Sequence, residues 1–288
     1  MQKKPTKDKA APKPTKDKAT KPTADKTTTL TANVEPAYTT EPQRDTFGVS
    51  FCIIAREQDF GHLQQCMASL PESAQVCILL NAPGNADEDT ITPVDVAYHE
   101  GRTVRSRKWT YPKDKFSFAT ARNYAGQMAT CDWIFWIDCD ELLAYAQHDG
   151  IRYAAFGHGP GVGGFYAAQS SMTRYDQMTG GQCEYIAIKQ LRMYRNHPAL
   201  KWEGHAHEQI AQSVHDAGYS IVDTSIVVIH NGYSLDDGTL KRKLERNAAL
   251  IGRWLGEFPT HTLRRYYEDV YCREIVSLRK LEKANGKL

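Results

Sequence analysis

The strongest constraint on the fold is a short apolar segment that ends in carboxylates. The apolar residues Trp133–Ile137 are followed by Asp138, Asp140 and Glu141. Such a run predicts a strand buried on both faces, as in parallel α/β sheets. Asp138 and Asp140 are two positions apart, so in extended geometry they lie on one face. Carboxylates at this end of a strand lie where α/β sheets bind ligands, and two of them can hold a divalent cation that in turn holds a diphosphate.

The residues before this segment predict alternating strands and helices. Strands are expected at 47–55, 75–80 and 94–99, and helices at 58–70 and 117–129. The strand segments are rich in β-forming residues, and Pro71 ends the first helix. This order predicts a Rossmann-like, mostly parallel sheet flanked by helices, and therefore an α/β fold.

The residues after Glu141 predict a different pattern. Five glycines between 157 and 164 predict a flexible loop, and residues 156–164 are a candidate mobile lid. Further strands are expected at 165–169, 184–194 and 219–230. From residue 235 the apolar spacing is helical, and Pro259 separates two helices. Tyr266, Tyr267 and Tyr271 are expected to pack in the core.

The N-terminal residues 1–45 have low complexity, because the sequence KPTKDKA occurs at 4–10 and again at 13–19. With repeated prolines and few apolar residues, this tail is expected to be disordered. Residues 1–30 carry nine lysines and three aspartates, a net charge of +6, which leaves −4 for residues 31–288. The tail is either a solubilising extension or a non-specific tether to nucleic acid or another anionic surface.

Composition limits the class of protein. A hydrophobic content of 41% is sufficient for a sizeable core, and no run of 18 or more apolar residues predicts a transmembrane helix. The lysine-rich N-terminus lacks the apolar segment of a secretory signal. The seven cysteines are scattered singly, without a Cys-x-x-Cys pair. We therefore expect a cytoplasmic protein without disulfides.

Four segments occur in a specific order. They are Ala55-Arg56-Glu57, the Phe116–Ala125 segment FSFATARNYA, the Asp132–Glu141 segment DWIFWIDCDE, and RMYRN at 192–196 with WEGHAHE at 202–208. Together they resemble a family-2 glycosyltransferase of the GT-A fold, over roughly Phe51 to Tyr271. The resemblance implies transfer of a sugar, with inversion, from a nucleotide-diphosphate donor to a hydroxyl group. A UDP-sugar is the favoured donor. The expected domains are the tail, a catalytic domain at 46–234, and C-terminal helices at 235–288 packed on it.

The resemblance also assigns the donor site. It implies that Arg122 and Asn123 face the nucleotide or its phosphate, and a guanidinium suits a phosphate electrostatically. Glu57 and Asn81 resemble the uridine-contacting ends of the first two strands. Many relatives have aspartate where Asn81 stands, which leaves the nucleobase open, although an amide both donates and accepts hydrogen bonds.

Metal chemistry suggests the ligands of a Mn²⁺ or Mg²⁺ ion. Asp140 is the first candidate, and Asp138 either shares the ion or binds the ribose. Two carboxylates under-coordinate such an ion, so a histidine is expected to join them. His207, in the His-Ala-His-Glu segment, is the leading candidate, and His230 is the second.

An inverting transfer needs a base that deprotonates the acceptor. Glu208 and Glu203 are the candidates. In one straight strand, Glu203 and His207 would share a face and Glu208 would point away, whereas a turn at Glu208 removes this difficulty. The resemblance favours Glu208.

Other functions remain open. The acceptor is a glycan or lipid-linked glycan, a protein side chain, or a hydroxylated base in DNA with the tail as tether. A non-catalytic scaffold that binds sugar nucleotides is an alternative of another class. A nucleotidyltransferase is a third possibility, but no glycine-rich phosphate motif follows the first strand.

Overall fold

A computed structural model describes residues 47–84, 90–94, 102–112, 114–172, 185–230 and 237–284. These residues belong to one unit that extends over Pro42–Leu288. The predicted tail at 1–45 lies outside the described residues. The predicted strand at 94–99 also lies outside them, except for Val94.

Strands and helices alternate largely as predicted. The strands are β1 (Val49–Ala55), β2 (Gln75–Gly84), β3 (Thr90–Pro93), β4 (Val104–Pro112), β5 (Trp133–Asp138), β6 (Glu141–Leu143), β7 (Val162–Met172), β8 (Tyr185–Arg195) and β9 (Ser220–His230). The helices are α1 (Phe60–Ser69), α2 (Phe118–Gly126), α3 (His148–Phe156), α4 (Ala211–Asp216), α5 (Asp237–Glu257) and α6 (Arg264–Ala284).

These strands form one sheet in the order β3-β4-β2-β1-β5-β8-β7-β9-β6. The four neighbours β4, β2, β1 and β5 are parallel, which confirms the predicted α/β fold. β8 then pairs antiparallel with β5 and β7, and β9 pairs parallel with β7. β6 pairs antiparallel with β9, so that Glu141 lies opposite His230. This pairing brings the end of β9 to the acidic segment after β5.

Apolar side chains cover both faces of the central strands, which explains their uninterrupted apolar sequences. In β5, Trp133, Phe135 and Ile137 pack in one core cluster, which also contains residues of α1 and α3. Ile134 and Trp136 point to the opposite face and pack with α2. Because a strand alternates its side chains, a segment buried on both sides must be apolar at every position.

The predicted flexible loop at 157–164 is wrong in its second half, since β7 begins at Val162. Gly163 lies against the side chain of Tyr219, and Gly164 lies against Leu191. A Cβ atom at Gly163 would clash with Tyr219, so this glycine permits close packing within the sheet rather than mobility. Only residues 157–161 of the proposed lid connect α3 to β7.

The C-terminal helices pack against the loop that contains the histidine-rich segment. Tyr267 of α6 is buried with Trp254 and Ile251 of α5 and with Ala206 of the loop. Tyr266 and Tyr271 pack around this cluster, which confirms the predicted packing role of the three tyrosines. Within the described ranges, none of the helices combines the length and the apolar character needed to cross a membrane.

Candidate functional site

Of the three carboxylates after β5, Glu141 is fully buried and serves the structure. It forms two hydrogen bonds of 2.6 Å with the guanidinium of Arg192, which is also fully buried. Glu141 Oε1 accepts a further hydrogen bond from Gln169 at 2.8 Å, and Oε2 accepts one from the backbone N–H of Asp138 at 2.8 Å. Burial raises the pKa of Glu141, and the charge of Arg192 opposes this shift. The pair therefore anchors the backbone from which Asp138 projects.

Asp140 is paired with His230 at the end of β9. His230 Nε2 lies 3.3 Å from Asp140 Oδ2, and Nδ1 lies 3.4 Å from Ser171 Oγ. Burial alone raises the pKa of Asp140, but the hydrogen bond and charge of His230 lower it overall. Burial lowers the pKa of His230, and Asp140 outweighs this effect and raises it. Asp140 remains partly accessible, beside a cavity of about 80 Å³ lined also by His62, Gln65, Cys139 and Leu142.

Arg122 of α2 joins two of the predicted site residues. Its Nε donates to Glu208 Oε1 at 2.5 Å, and its Nη2 donates to Asp138 Oδ1 at 3.1 Å. The guanidinium carbon lies 3.7 Å from the ring centroid of Trp136 and 5.4 Å from that of Trp202. Burial lowers the pKa of Arg122, but the two carboxylates raise it overall. The structure therefore brings Arg122, Asp138 and Glu208 together.

The residues around Glu208 form a loop that doubles back, so the straight-strand alternative for 202–208 is wrong. The backbones of Glu203 and Gln209 form a bridge with two hydrogen bonds of 2.9 Å. The carboxylate of Glu203 pairs with His261 instead of Arg122, and its Oε1 lies 3.4 Å from His261 Nε2. Glu208 is therefore the glutamate of this loop that contacts Arg122.

His207 is not adjacent to Asp140 but pairs with α6. Its Nε2 lies 2.6 Å from Glu274 Oε1, and its φ angle is 54°. Asn123 has both ends of its amide bound to the backbone of Trp202, each at 3.0 Å. These contacts give His207 and Asn123 structural partners, and they connect the loop to α6 and α2.

The other two predicted donor-site residues lie just after β1 and within β2, which are neighbouring parallel strands. Glu57, after β1, is exposed and pairs with Lys108 Nζ at 2.7 Å. Asn81, in β2, is 8% exposed, and within the described part of the chain its Oδ1 has no hydrogen-bond partner. A buried acceptor without a partner costs about 1–3 kcal/mol, so a ligand donor would find a ready partner here.

Sequence reasoning missed Arg246 of α5. Its guanidinium carbon lies 5.2 Å from the ring of Phe118, and its Nη2 donates to Asn247 Oδ1 at 3.0 Å. Among the described residues it forms no salt bridge. Burial and the charge of Arg56 lower the pKa of Arg246, and the carboxylates of Glu208 and Glu274 oppose this shift in part. The helical spacing of α5 could not indicate a functional role for Arg246, because nearby residues such as Phe118 and Arg56 come from distant parts of the chain.

The donor set suits a metal only in part. Within the residues that the structure describes, no group of three or more His, Cys, Asp or Glu side chains is arranged to hold an ion. Asp140 and His230 offer one oxygen and one nitrogen, a combination that Mn²⁺ accepts. An ion bound by Asp140 and His230 alone would lack ligands. The remaining coordinating oxygens would have to come from a bound molecule such as a diphosphate.

No protein-family model matches the chain. It is 25% identical over 205 residues to the SPbeta prophage-derived glycosyltransferase SunS of Bacillus subtilis (strain 168), an alignment that covers 71% of this chain and 44% of SunS. It is 27% identical over 217 residues to a TPR repeat-containing protein of Synechococcus elongatus, covering 73% of this chain and 49% of that protein. The chain therefore spans less than half the length of these curated relatives.

Two solved structures are similar to the chain at low identity and low TM-score. The mannosyltransferase PcManGT from Pyrobaculum calidifontis, in complex with GDP-Man and Mn²⁺, has a TM-score of 0.43 and 11% identity, covering 82% of this chain and 73% of that one. Residues 1–349 of TarS from S. aureus, in complex with UDP-GlcNAc, have a TM-score of 0.37 and 9% identity, covering 79% and 71%.

Proposed function

We propose that the protein is an inverting, metal-dependent glycosyltransferase that moves a sugar from a nucleoside-diphosphate donor, with a UDP-sugar first, to a hydroxyl group. The observation that carries this proposal is the bridge from Asp138 through Arg122 to Glu208. This bridge joins the predicted donor residue Asp138 to the predicted base Glu208, and Asp140, two positions after Asp138, pairs with His230, which supports the proposal. The similarity to SunS, named as a glycosyltransferase, supports the same class.

Each residue has a role that its position supports. Asn81 Oδ1 accepts a hydrogen bond from the nucleobase, because it is buried and without a described partner. Arg246 binds the phosphates, because its guanidinium forms no salt bridge among the described residues, whereas Arg56 is already paired with Asp59. Asp140 and His230 hold Mn²⁺ or Mg²⁺, which when bound stabilises the charge on the leaving diphosphate as a Lewis acid.

The transfer needs one proton acceptor on the chain. Glu208 accepts the proton of the acceptor hydroxyl, and the oxygen attacks the anomeric carbon from the side opposite the diphosphate. The bond from the anomeric carbon to the phosphate oxygen breaks, and its electron pair leaves with the nucleoside diphosphate. Because the attack comes from the side opposite the leaving diphosphate, the configuration at the anomeric carbon inverts.

The acceptor is a glycan, a lipid-linked glycan or a protein side chain. The net charge of +6 in residues 1–30 favours a second candidate, a hydroxylated base in DNA with the tail as a salt-sensitive tether. Deleting residues 1–40 separates these acceptors. Donor hydrolysis should persist in the deletion variant, and only transfer to DNA should fall.

Turnover of a donor panel tests the proposal. The full chain is incubated with UDP-glucose, UDP-GlcNAc, UDP-galactose and GDP-mannose, with and without Mn²⁺, and the released nucleotide is measured. We expect Mn²⁺-dependent release of nucleoside diphosphate from at least one donor, and its loss in Asp140→Ala. Asp132→Ala, an exposed aspartate at the opposite end of β5, is the matched control and should retain turnover.

The other outcomes identify the alternatives. Mn²⁺-dependent stabilisation by a nucleotide sugar without turnover indicates a binding scaffold. Release of pyrophosphate instead of a nucleoside diphosphate indicates nucleotidyl transfer. Full activity of Asp140→Ala would contradict the assigned site.

A further inference from the structure

Arg122 already uses two of its three guanidinium nitrogens, Nε and Nη2, to bind carboxylates. Its side chain is only 6% exposed, and its two described hydrogen bonds go to carboxylates rather than to an open cleft. Two carboxylates on one guanidinium already compensate its charge, so a phosphate brought to Arg122 would meet two negative neighbours. This geometry disagrees with the phosphate-binding role expected from the sequence.

Two tryptophan rings restrict the orientation of the Arg122 guanidinium. Trp136 lies against it at 3.7 Å, and Trp202 lies near it at 5.4 Å. Arg192 lies against Trp136 as well, also at 3.7 Å, so the indole has a guanidinium close on two sides. Trp202 is itself held, because its indole Nε1 donates to Tyr194 Oη at 3.1 Å. The N–H groups of a guanidinium whose orientation is restricted in this way have defined directions.

We infer that Arg122 is a positioning residue, which holds the carboxylates of Glu208 and Asp138 at a fixed separation and does not bind the donor phosphate. This inference rests on the proposed function. Glu208 lies on a loop, whereas Asp138 lies at the end of a core strand. By binding both residues, Arg122 restricts the position of the Glu208 carboxylate relative to the sheet. Misplacing a reacting group by about 1 Å can cost about 100-fold in rate.

The exchange Arg122→Lys tests the inference, because lysine keeps the charge but cannot bridge two carboxylates in a plane. We expect kcat for the best donor to fall about 100-fold, while the Kd of UDP in the presence of Mn²⁺ stays within about threefold. If Arg122 instead binds a phosphate, the Kd of UDP rises about 10- to 100-fold. That result would overturn the inference.

The chain offers a matched control for this exchange. Arg195 also lies over a tryptophan, Trp133 at 4.5 Å, and donates to the carbonyl of Val162, but it is at the opposite end of β5. Arg195→Lys should leave both kcat and the Kd of UDP unchanged. In contrast, Arg246→Ala should raise the Kd of UDP, because Arg246 is the arginine that we place on the phosphates.

A milder variant covers the case in which Arg122→Lys does not fold, which thermal unfolding reveals. Trp202→Phe replaces one of the two rings near the Arg122 guanidinium with a smaller ring and keeps Arg122 itself. We expect a fall in kcat of about tenfold with unchanged UDP affinity. A weakened UDP affinity with unchanged kcat would contradict the inference. If the wild-type protein binds no nucleotide in the presence of Mn²⁺, the proposed function is contradicted. If the wild type turns over donor and the Arg122 or Trp202 variant binds UDP more weakly, only this inference is contradicted.

Discussion

Oδ2 of Asp140 lies 3.3 Å from Nε2 of His230, although 90 positions separate the two residues in the chain. The contact exists because β6, directly after Asp140, pairs antiparallel with the end of β9. His207, the histidine that local sequence context favours, is instead bound to Glu274. The strand pairing thus selects His230 as the partner of the acidic segment.

A matched pair of variants distinguishes the two histidines. His230→Asn should lower the affinity of Mn²⁺ for the UDP complex by at least about tenfold, because a nitrogen ligand is lost. His207→Asn should leave that affinity unchanged, and asparagine tolerates the φ of 54° at this position. Isothermal titration of Mn²⁺ into each variant with saturating UDP measures both. The reverse pattern would return the metal site to His207.

The pair of His207 and Glu274 predicts a pH-dependent stability. Burial alone raises the pKa of Glu274, but the hydrogen bond and charge of His207 lower it below its ordinary value of 4.5. Because the folded pKa lies below the unfolded one, this stabilisation is present above about pH 4.5 and is lost as the pH falls through the folded pKa. Glu274→Gln should therefore be less stable than the wild type by about 1–2 kcal/mol at pH 6.

Urea unfolding between about pH 6 and pH 3 checks this prediction. The difference between wild type and Glu274→Gln should shrink towards zero at the acid end of the series. A difference that stays constant over the whole range would show that the charge of Glu274 does not stabilise the fold.

The buried pair of Glu141 and Arg192 should be costly to break. Arg192→Met leaves an uncompensated carboxylate in the core, and we expect a loss of about 3–5 kcal/mol in the free energy of unfolding. The double variant Arg192→Met/Glu141→Gln should recover part of this loss, because the charge is gone and the glutamine still accepts the N–H of Asp138. Urea denaturation measures both variants.

An exposed pair on the same strand provides the control. Lys189 of β8 pairs with Asp223 at 2.5 Å, and both side chains are exposed. Lys189→Met should change stability by less than about 1 kcal/mol. The assignment of Glu141 as a structural anchor would be wrong if Arg192→Met behaved like this control.

Gly204 holds the loop of Glu208 against α6. Its φ is 96°, and a Cβ atom there would clash with the hydroxyl of Tyr267, which donates to the carbonyl of Glu203 at 2.9 Å. Gly204→Ala should cost about 2–4 kcal/mol through strain and overpacking. Adding Tyr267→Phe removes the nearest clashing atom but keeps the ring carbon Cζ, which also clashes, so the double variant should lose less than the sum of the single losses and still be destabilised.

Thermal unfolding measures the Gly204 series, with Gly256→Ala as control. Gly256 lies in α5 with open space around it, and alanine there should be neutral or stabilising by up to about 1 kcal/mol. Equal losses at Gly204 and Gly256 would contradict the packing argument.

Local sequence was sufficient for the elements that form the centre of the fold. The apolar run of β5 and the helical spacing of α5 each depend on neighbours a few positions away, so periodicity predicted them. It failed at Gly163, where the sequence pattern of a flexible loop was produced by close packing against Tyr219 in the sheet. The composition of a segment shows that it is rich in glycine, but it does not show which residues pack against those glycines.

The sequence by itself determined an α/β sheet and an acidic end on its central strand, because burial on both faces requires an unbroken apolar segment and the ligand edge requires polar residues after it. Only the tertiary structure decided which partners those carboxylates have. Glu141 belongs to Arg192, Asp140 to His230, and Asp138 shares Arg122 with Glu208. The reason is physical: each carboxylate pairs with the opposite charge that the strand register and the neighbouring helix bring near, and these positions depend on long-range contacts.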